Sequence, residues 1–285
     1  MNSFSFNRFC KTFRWYFSMN FLSLMAWSGG YVVGVFLGEL LFFALRVGDS
    51  QDHILENIMQ FSVIFILIAM TVGTCTFLSD FNKKAKRETF LMLPASNLEK
   101  YLSAVLYVVV AWTVGVFLSY ALGDTLRMVF RSLVYGDEWK SAVPMVINNM
   151  SFSLWSHPYS IELMWFDTML VIVFVTMLVW IHSVYTFGGT LLRKYSYVVT
   201  SAFVILCFVA LAKFINYYHL SLFRTSWNWD DGYAKLEFFK IGTLSYVLAV
   251  ILPIFSVINY WFSYRIFKGY ELITNKWFNY DFHKR

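Results

Sequence analysis

Six long apolar runs, at residues 21–45, 58–78, 101–122, 165–187, 197–222 and 241–262, leave this chain few folds to choose from. Helical runs of about 20 apolar residues match the hydrocarbon thickness of a bilayer. In lipid every backbone N–H and C=O must be paired within the chain, so a run of that length crosses as a helix. Composition agrees. Hydrophobic residues make up 59% of the 285 and charged residues only 14%, whereas soluble domains run at about half and about a quarter. The 31 Phe, 18 Tyr and 11 Trp suit lipid contact and interfacial aromatic belts. The sequence predicts an all-α integral membrane protein, a single polytopic domain over 1–285.

Charge orients the spans. Of the 23 Lys and Arg, 15 fall in the N-terminal segment, the 80–100 loop, the Gly188–Ser196 stretch and the C-terminal tail. The remaining eight are spread over the three longer opposite loops, where acids outnumber them. An even number of spans puts both termini on the basic side, which the positive-inside rule makes cytoplasmic. The same rule accounts for the net charge of +6 without nucleic acid as a partner. Cys10, Cys75 and Cys207 are too few and too scattered for a disulfide framework or a metal motif.

Residues 1–20 carry Arg8, Lys11 and Arg14 on one helical face and Phe6, Phe9, Phe13, Tyr16 and Phe17 on the other. This pattern predicts an amphipathic helix lying flat in the headgroup layer. The first apolar run holds Gly30, Gly34 and Gly38 at four-residue intervals, a small-residue stripe that lets another helix approach closely. Glu39 follows on the same run. An intramembrane carboxylate is costly enough to count as a candidate for a substrate or gating role.

Between spans two and three lies the most basic internal stretch, DFNKKAKRETFLMLPASNLEKY, residues 80–101. Pro94 disfavours a helical conformation at Leu93, so a short helix ends there. Ser96 and Glu99 have capping-box spacing, which starts the next helix. Elsewhere the 124–164 loop predicts one or two short interfacial helices. Gly188 and Gly189 predict a tight turn before Arg193 and Lys194. The fifth span reaches Leu222 if Lys213 snorkels, and Pro253 marks a kink in the sixth.

No catalytic constellation emerges. The five His residues lie on separate segments with no HExxH or other ligand spacing, and there is no GxSxG elbow or phosphate loop. His182 and Asp167 are 15 residues apart, about 22 Å along a helix, so they form no dyad. The spans carry almost no midplane charge and no internal repeat, unlike gradient-driven carriers. Energy for transport would therefore come from a partner on the basic face.

The order of elements, with Arg87-Glu88-Thr89, Leu91, Leu93, Pro94-Ala95-Ser96 and Glu99-Lys100 in the basic loop, resembles the membrane subunit of ABC-type exporters, the type-two permease family. The resemblance implies an elbow helix, six spans and a coupling helix that sits in a groove of a separate ATPase. Lys83, Lys84, Arg87, Glu88, Leu91, Leu93, Pro94, Ser96 and Glu99 would form that contact, with Arg193 and Lys194 as a second one and Glu39 on the pathway. ATP and Mg would be held by the partner ATPase and no cofactor by this chain, which would pair with itself or a paralogue in a bacterial cytoplasmic (inner) membrane. The alternative is a non-transporting sensor or assembly subunit, with partner-binding outer loops and a basic loop anchored on anionic lipid.

Overall fold

The computed structural model describes residues 4–46, 50–79, 84–150, 161–192, 194–230 and 233–269. Among them six helices are long and apolar enough to cross a membrane, which makes the chain a multi-pass membrane protein. Helix α1 spans Phe6–Leu45, α2 Gln51–Ser79, α3 Lys84–Leu91 and α4 Asn97–Leu106. Helix α4 continues through a π-helical turn, Tyr107–Trp112, into α5, Thr113–Tyr135. Then come α6 Val143–Met150, α7 Ile161–Leu191, α8 Ser196–Tyr217, strands β1 Phe223–Asp230 and β2 Tyr233–Ile241, and α9 Thr243–Lys268. The start of α1, α3, the α7–α8 turn and the end of α9 share one face, here the basic face. The α1–α2 turn, α6 and the strands lie on the opposite, acidic face.

Two groups of helices meet across α2. On one side α1 packs along α4 and α5; on the other α7 packs along α9 and α8, and α2 touches both groups. Small residues set the closest approaches. A Cβ on Gly123 would lie 2.8 Å from that of Val35, which brings α5 against α1. A Cβ on Gly189 would lie 3.1 Å from the Leu78 Cβ, and one on Gly188 would overlap Thr200. Gly73 faces the indole of Trp112, whose Nε1 donates to the Ala69 carbonyl at 2.9 Å. Phe77, Tyr107 and Trp112 stack edge to face beside it, all buried.

Several expectations need correction. Residues 6–20 are the opening turns of α1, a continuous helix of 40 residues, about 60 Å long, and not a separate helix. Its buried positions there are Thr12, Tyr16 and Asn20, one helical ridge, while Phe6 is exposed. The glycine stripe is filled from within the chain: Gly34 faces the ring of Phe65 and Gly38 that of Phe61. Gly30 instead borders an apolar groove of about 540 Å³ shared with Trp27, Phe65 and Trp112. Gly188 and Gly189 are helical, because α7 needs them for packing; the turn comes later, at Tyr195, with φ 53°. The fifth span ends at Tyr217, and His219, φ 51°, turns the chain out of the helix.

The all-α expectation holds for the spans but not for the loop after α8. There β1 and β2 pair antiparallel from Phe223↔Ile241 to Asp230↔Tyr233, with a bulge at Ser226/Trp227. Trp, Phe, Tyr and Thr, which recur through this stretch, favour strands. The third span is also longer than expected, running to Tyr135, because Asp124 and Arg127 bond to each other within the helix. One short helix, α6, matches the expectation for the loop after it.

Gly73→Ala tests the packing. Its methyl would overlap the buried Trp112 ring, which must shift and lose its hydrogen bond to the Ala69 carbonyl. The expected cost is about 1–3 kcal/mol, read as a lower thermal midpoint in detergent. Gly29→Ala, whose Cβ meets nothing within 4 Å, should leave the midpoint unchanged.

Candidate functional site

The stretch singled out in the sequence folds as expected from its punctuation. Helix α3 ends at Leu91, and the backbone reverses around Pro94 with Ala95 N–H donating to the Leu93 carbonyl at 2.8 Å. Ser96 then caps α4. Its Oγ accepts from the Glu99 N–H at 3.2 Å, while Glu99 Oε2 accepts from the Ser96 N–H at 2.8 Å. That is the reciprocal capping box.

Glu99 does more than cap. Its other oxygen, Oε1, accepts from the Ser5 N–H at 2.7 Å and from Arg8 Nη2 at 3.1 Å. The carboxylate is fully buried, and its acceptors are occupied by an N-cap, a helix-opening N–H and a guanidinium. It therefore joins the start of α1 to the start of α4. A buried carboxylate is tolerated only when charge and hydrogen bonds are both met, and here they are.

Helix α3 is fastened along its inner side. Phe90, 1% exposed, packs against Trp15 and Tyr16 of α1 and Phe267 of α9 at centroid distances of 6.0, 5.5 and 6.0 Å. Lys86 Nζ donates to Asn20 Oδ1 at 3.2 Å, and the Asn20 carbonyl accepts from the Tyr107 hydroxyl at 3.3 Å. Of the residues proposed to meet a partner, Arg87 is 2% exposed and turned into the protein. Glu88 and Leu93 are half-buried, Leu93 against the core, and Ser96 and Glu99 are engaged in the cap. The surface that remains open consists of Thr89, Met92 (81% exposed), Pro94, Asn97 and Leu98. Lys83 and Arg193 lie outside the described residues, as do the side chains of Lys84 and Leu91; Lys194 is exposed.

Glu39 lies at the other end of α1. It is 1% exposed and accepts at Oε2 from Arg127 Nε, 2.9 Å away, rather than reaching headgroups. Arg127 also donates to Asp124 and, at 2.9 Å, to the Lys140 carbonyl. Asp124 in turn accepts from the Ser141 hydroxyl and the Ala142 N–H. The cluster pins the 136–142 loop to α1 and α5. Outside it Lys140 bridges Asp52 and Glu138, and these hydrogen bonds raise its ammonium above the ordinary lysine value. A milder seam joins α7 to α9: His182 to the Tyr260 hydroxyl at 2.6 Å, Asn259 to Ser183 at 3.1 Å and Thr190 to Ser263 at 3.0 Å.

Among the described residues no group of three or more His, Cys, Asp or Glu is placed to hold a metal. Comparison with family models, curated proteins and solved structures finds no match to this chain.

The Glu99 junction predicts a local effect. Glu99→Ala should free the opening turns of α1, so that trypsin cuts at Arg8 and Lys11 at least about tenfold faster, as expected for a local opening cheaper by more than 1.4 kcal/mol. Cleavage elsewhere in the spans should not change. Equal acceleration throughout would mean that Glu99 supports the whole bundle.

Proposed function

We propose that this chain is a membrane-spanning permease subunit of an ATP-driven, ABC-type exporter in a bacterial cytoplasmic membrane, paired with a second copy or a paralogue. Its basic face, with both termini, is cytoplasmic, and the ATPase subunit seats on the outer side of α3. One observation carries this reading: α3 is a short helix between two spans, bonded on its inner side to α1 and α9 and open on its outer side at Thr89, Met92 and Pro94. A helix anchored only to lipid would have no need of that fastening.

The geometry supplies a transmission. Force on Met92 passes through Phe90 to Trp15 and Tyr16, and α1 then carries it without a break to Glu39. From Tyr16 to Glu39 is about 35 Å along the helix axis. A push at the cytoplasmic face is thereby delivered to the ionic cluster that holds the outer loop. Arg87, Ser96 and Glu99 serve in this mechanism as the mounting of α3 rather than as its contact surface. ATP and Mg belong to the partner.

The test is purification of the tagged chain in mild detergent from its native host, with mass spectrometry of the proteins that accompany it. An ATPase is expected, and Met92→Asp combined with Thr89→Lys should reduce its recovery about tenfold or more, as for loss of an interface anchor. The same paired substitution at exposed Leu133 and Val134 on the acidic face should not. Absence of any ATPase from an otherwise intact complex would favour the sensor or assembly reading.

A further inference from the structure

The cluster of Glu39, Asp124 and Arg127 has an uneven charge. Two carboxylates share one guanidinium, and all three side chains are no more than 1% exposed. Fully ionised, the group would hold a net negative charge in a site where, among the described residues, Arg127 is the one cation paired with it. Such a charge is among the least favourable arrangements in a membrane interior.

Hydrogen bonding separates the two acids. Asp124 is supplied as an anion: Oδ1 accepts from Nε and Nη2 of Arg127, and Oδ2 accepts from the Ser141 hydroxyl and the Ala142 N–H. Glu39 is not. Its Oε2 accepts from Arg127, while Oε1 is buried and, among the described residues, meets no donor; the carboxyl beside it is that of Asp124. A bare, desolvated carboxylate oxygen is unfavourable, whereas a neutral carboxyl loses far less on burial.

We propose that Glu39 is a proton-binding site: the carboxyl holds a proton, and the cluster rests as a neutral acid beside an Asp124–Arg127 ion pair. The ligand is the proton itself. The groups facing the site agree with this assignment. On α1 itself there is Tyr31, and α5 contributes Tyr120, Asp124 and Arg127. Both tyrosine hydroxyls are buried. From α2 comes Ser62, beside Tyr120. Arg131 is turned to Asp137 and the Phe43 ring, and the Lys140 ammonium to Asp52 and Glu138, so neither neutralises Glu39.

Release of the proton would leave an uncompensated charge next to the bonds that pin the loop through Lys140, Ser141 and Ala142. Alkaline conditions should therefore loosen the loop and α6 from α1 and α5. The sign follows from the charge: the neutral cluster holds the loop, and the deprotonated one carries an unpaired negative charge, so stability falls as alkali removes the proton. This inference does not depend on the exporter reading.

The experiment uses the full chain in detergent. In wild type labelled with ¹³C-glutamate, infrared spectroscopy at neutral pH should show the carbonyl band of a protonated, buried glutamic acid, and alkaline titration should abolish it. Glu39→Gln should lack the band, keep the wild-type thermal midpoint at neutral pH and show a flatter alkaline profile. Glu39→Ala should lower the midpoint at every pH. Absence of the band from wild type at neutral pH overturns the proposal, whether or not the variants fold. So does a Glu39→Gln midpoint as low as that of Glu39→Ala, which would identify an ionised partner of Arg127. A midpoint that follows sodium or potassium concentration in wild type but not in Glu39→Gln would also overturn it, by identifying a metal cation as the ligand.

Discussion

Everything in this structure follows from the absence of water around the spans. Backbone groups are satisfied by being helical, and side-chain polarity is confined to positions where the protein provides the partner. Serine and threonine return their hydroxyls to their own helix, as Thr12 does to Arg8, Thr74 to Met70 and Ser119 to Gly115. Charged groups that enter the interior are gathered at the two ends of α1, around Glu99 and around Glu39. Between them rings and glycines predominate, and Trp112 against Gly73 and Val35 against Gly123 set close helix spacing.

The two charged ends are unlike each other. Glu99 is surrounded by three donors from two parts of the chain, and both of its oxygens are used. Among the described residues Glu39 has one donor, Arg127, and shares it with a second acid. The first arrangement suits a permanent joint and the second a group that changes state. Because α1 supplies Arg8 to the first and Glu39 to the second, the two are joined by a single continuous helix rather than by a series of loops.

Local patterns made part of this legible in the sequence. The apolar runs gave the number of spans, and the sequence from Lys84 to Glu99 gave a short helix, a proline stop and a capping box where they are found. Pairings between distant residues were not legible. Glu39 and Arg127 are 88 positions apart, and nothing near Glu39 signals that its partner lies in what reads as a loop. Asp124 and Arg127 looked like the end of a span because charges usually are; their mutual pairing lets the helix continue. The hairpin was within reach of sequence reasoning. Period-two alternation flanks Asp231-Gly232, a two-residue turn signal, but hydropathy alone reads such a stretch as connecting loop. Arg87 misled for another reason: a basic residue in a basic loop looks exposed, and only the fold shows it turned inward.

The π-helical turn at Tyr107–Trp112 gives the third span a property the other helices lack. Such a turn holds one residue more than an α-helical turn, and one residue corresponds to about 100° of helical phase. A chain shorter by one residue here would run as a regular helix between the same two ends, with the Ser96 cap and the Arg127 cluster both in place. The turn thus absorbs one extra residue and thereby sets the rotational phase of α5 relative to α4. Trp112, the last residue of that turn, is hydrogen-bonded across to α2 and ties this phase to the neighbouring span.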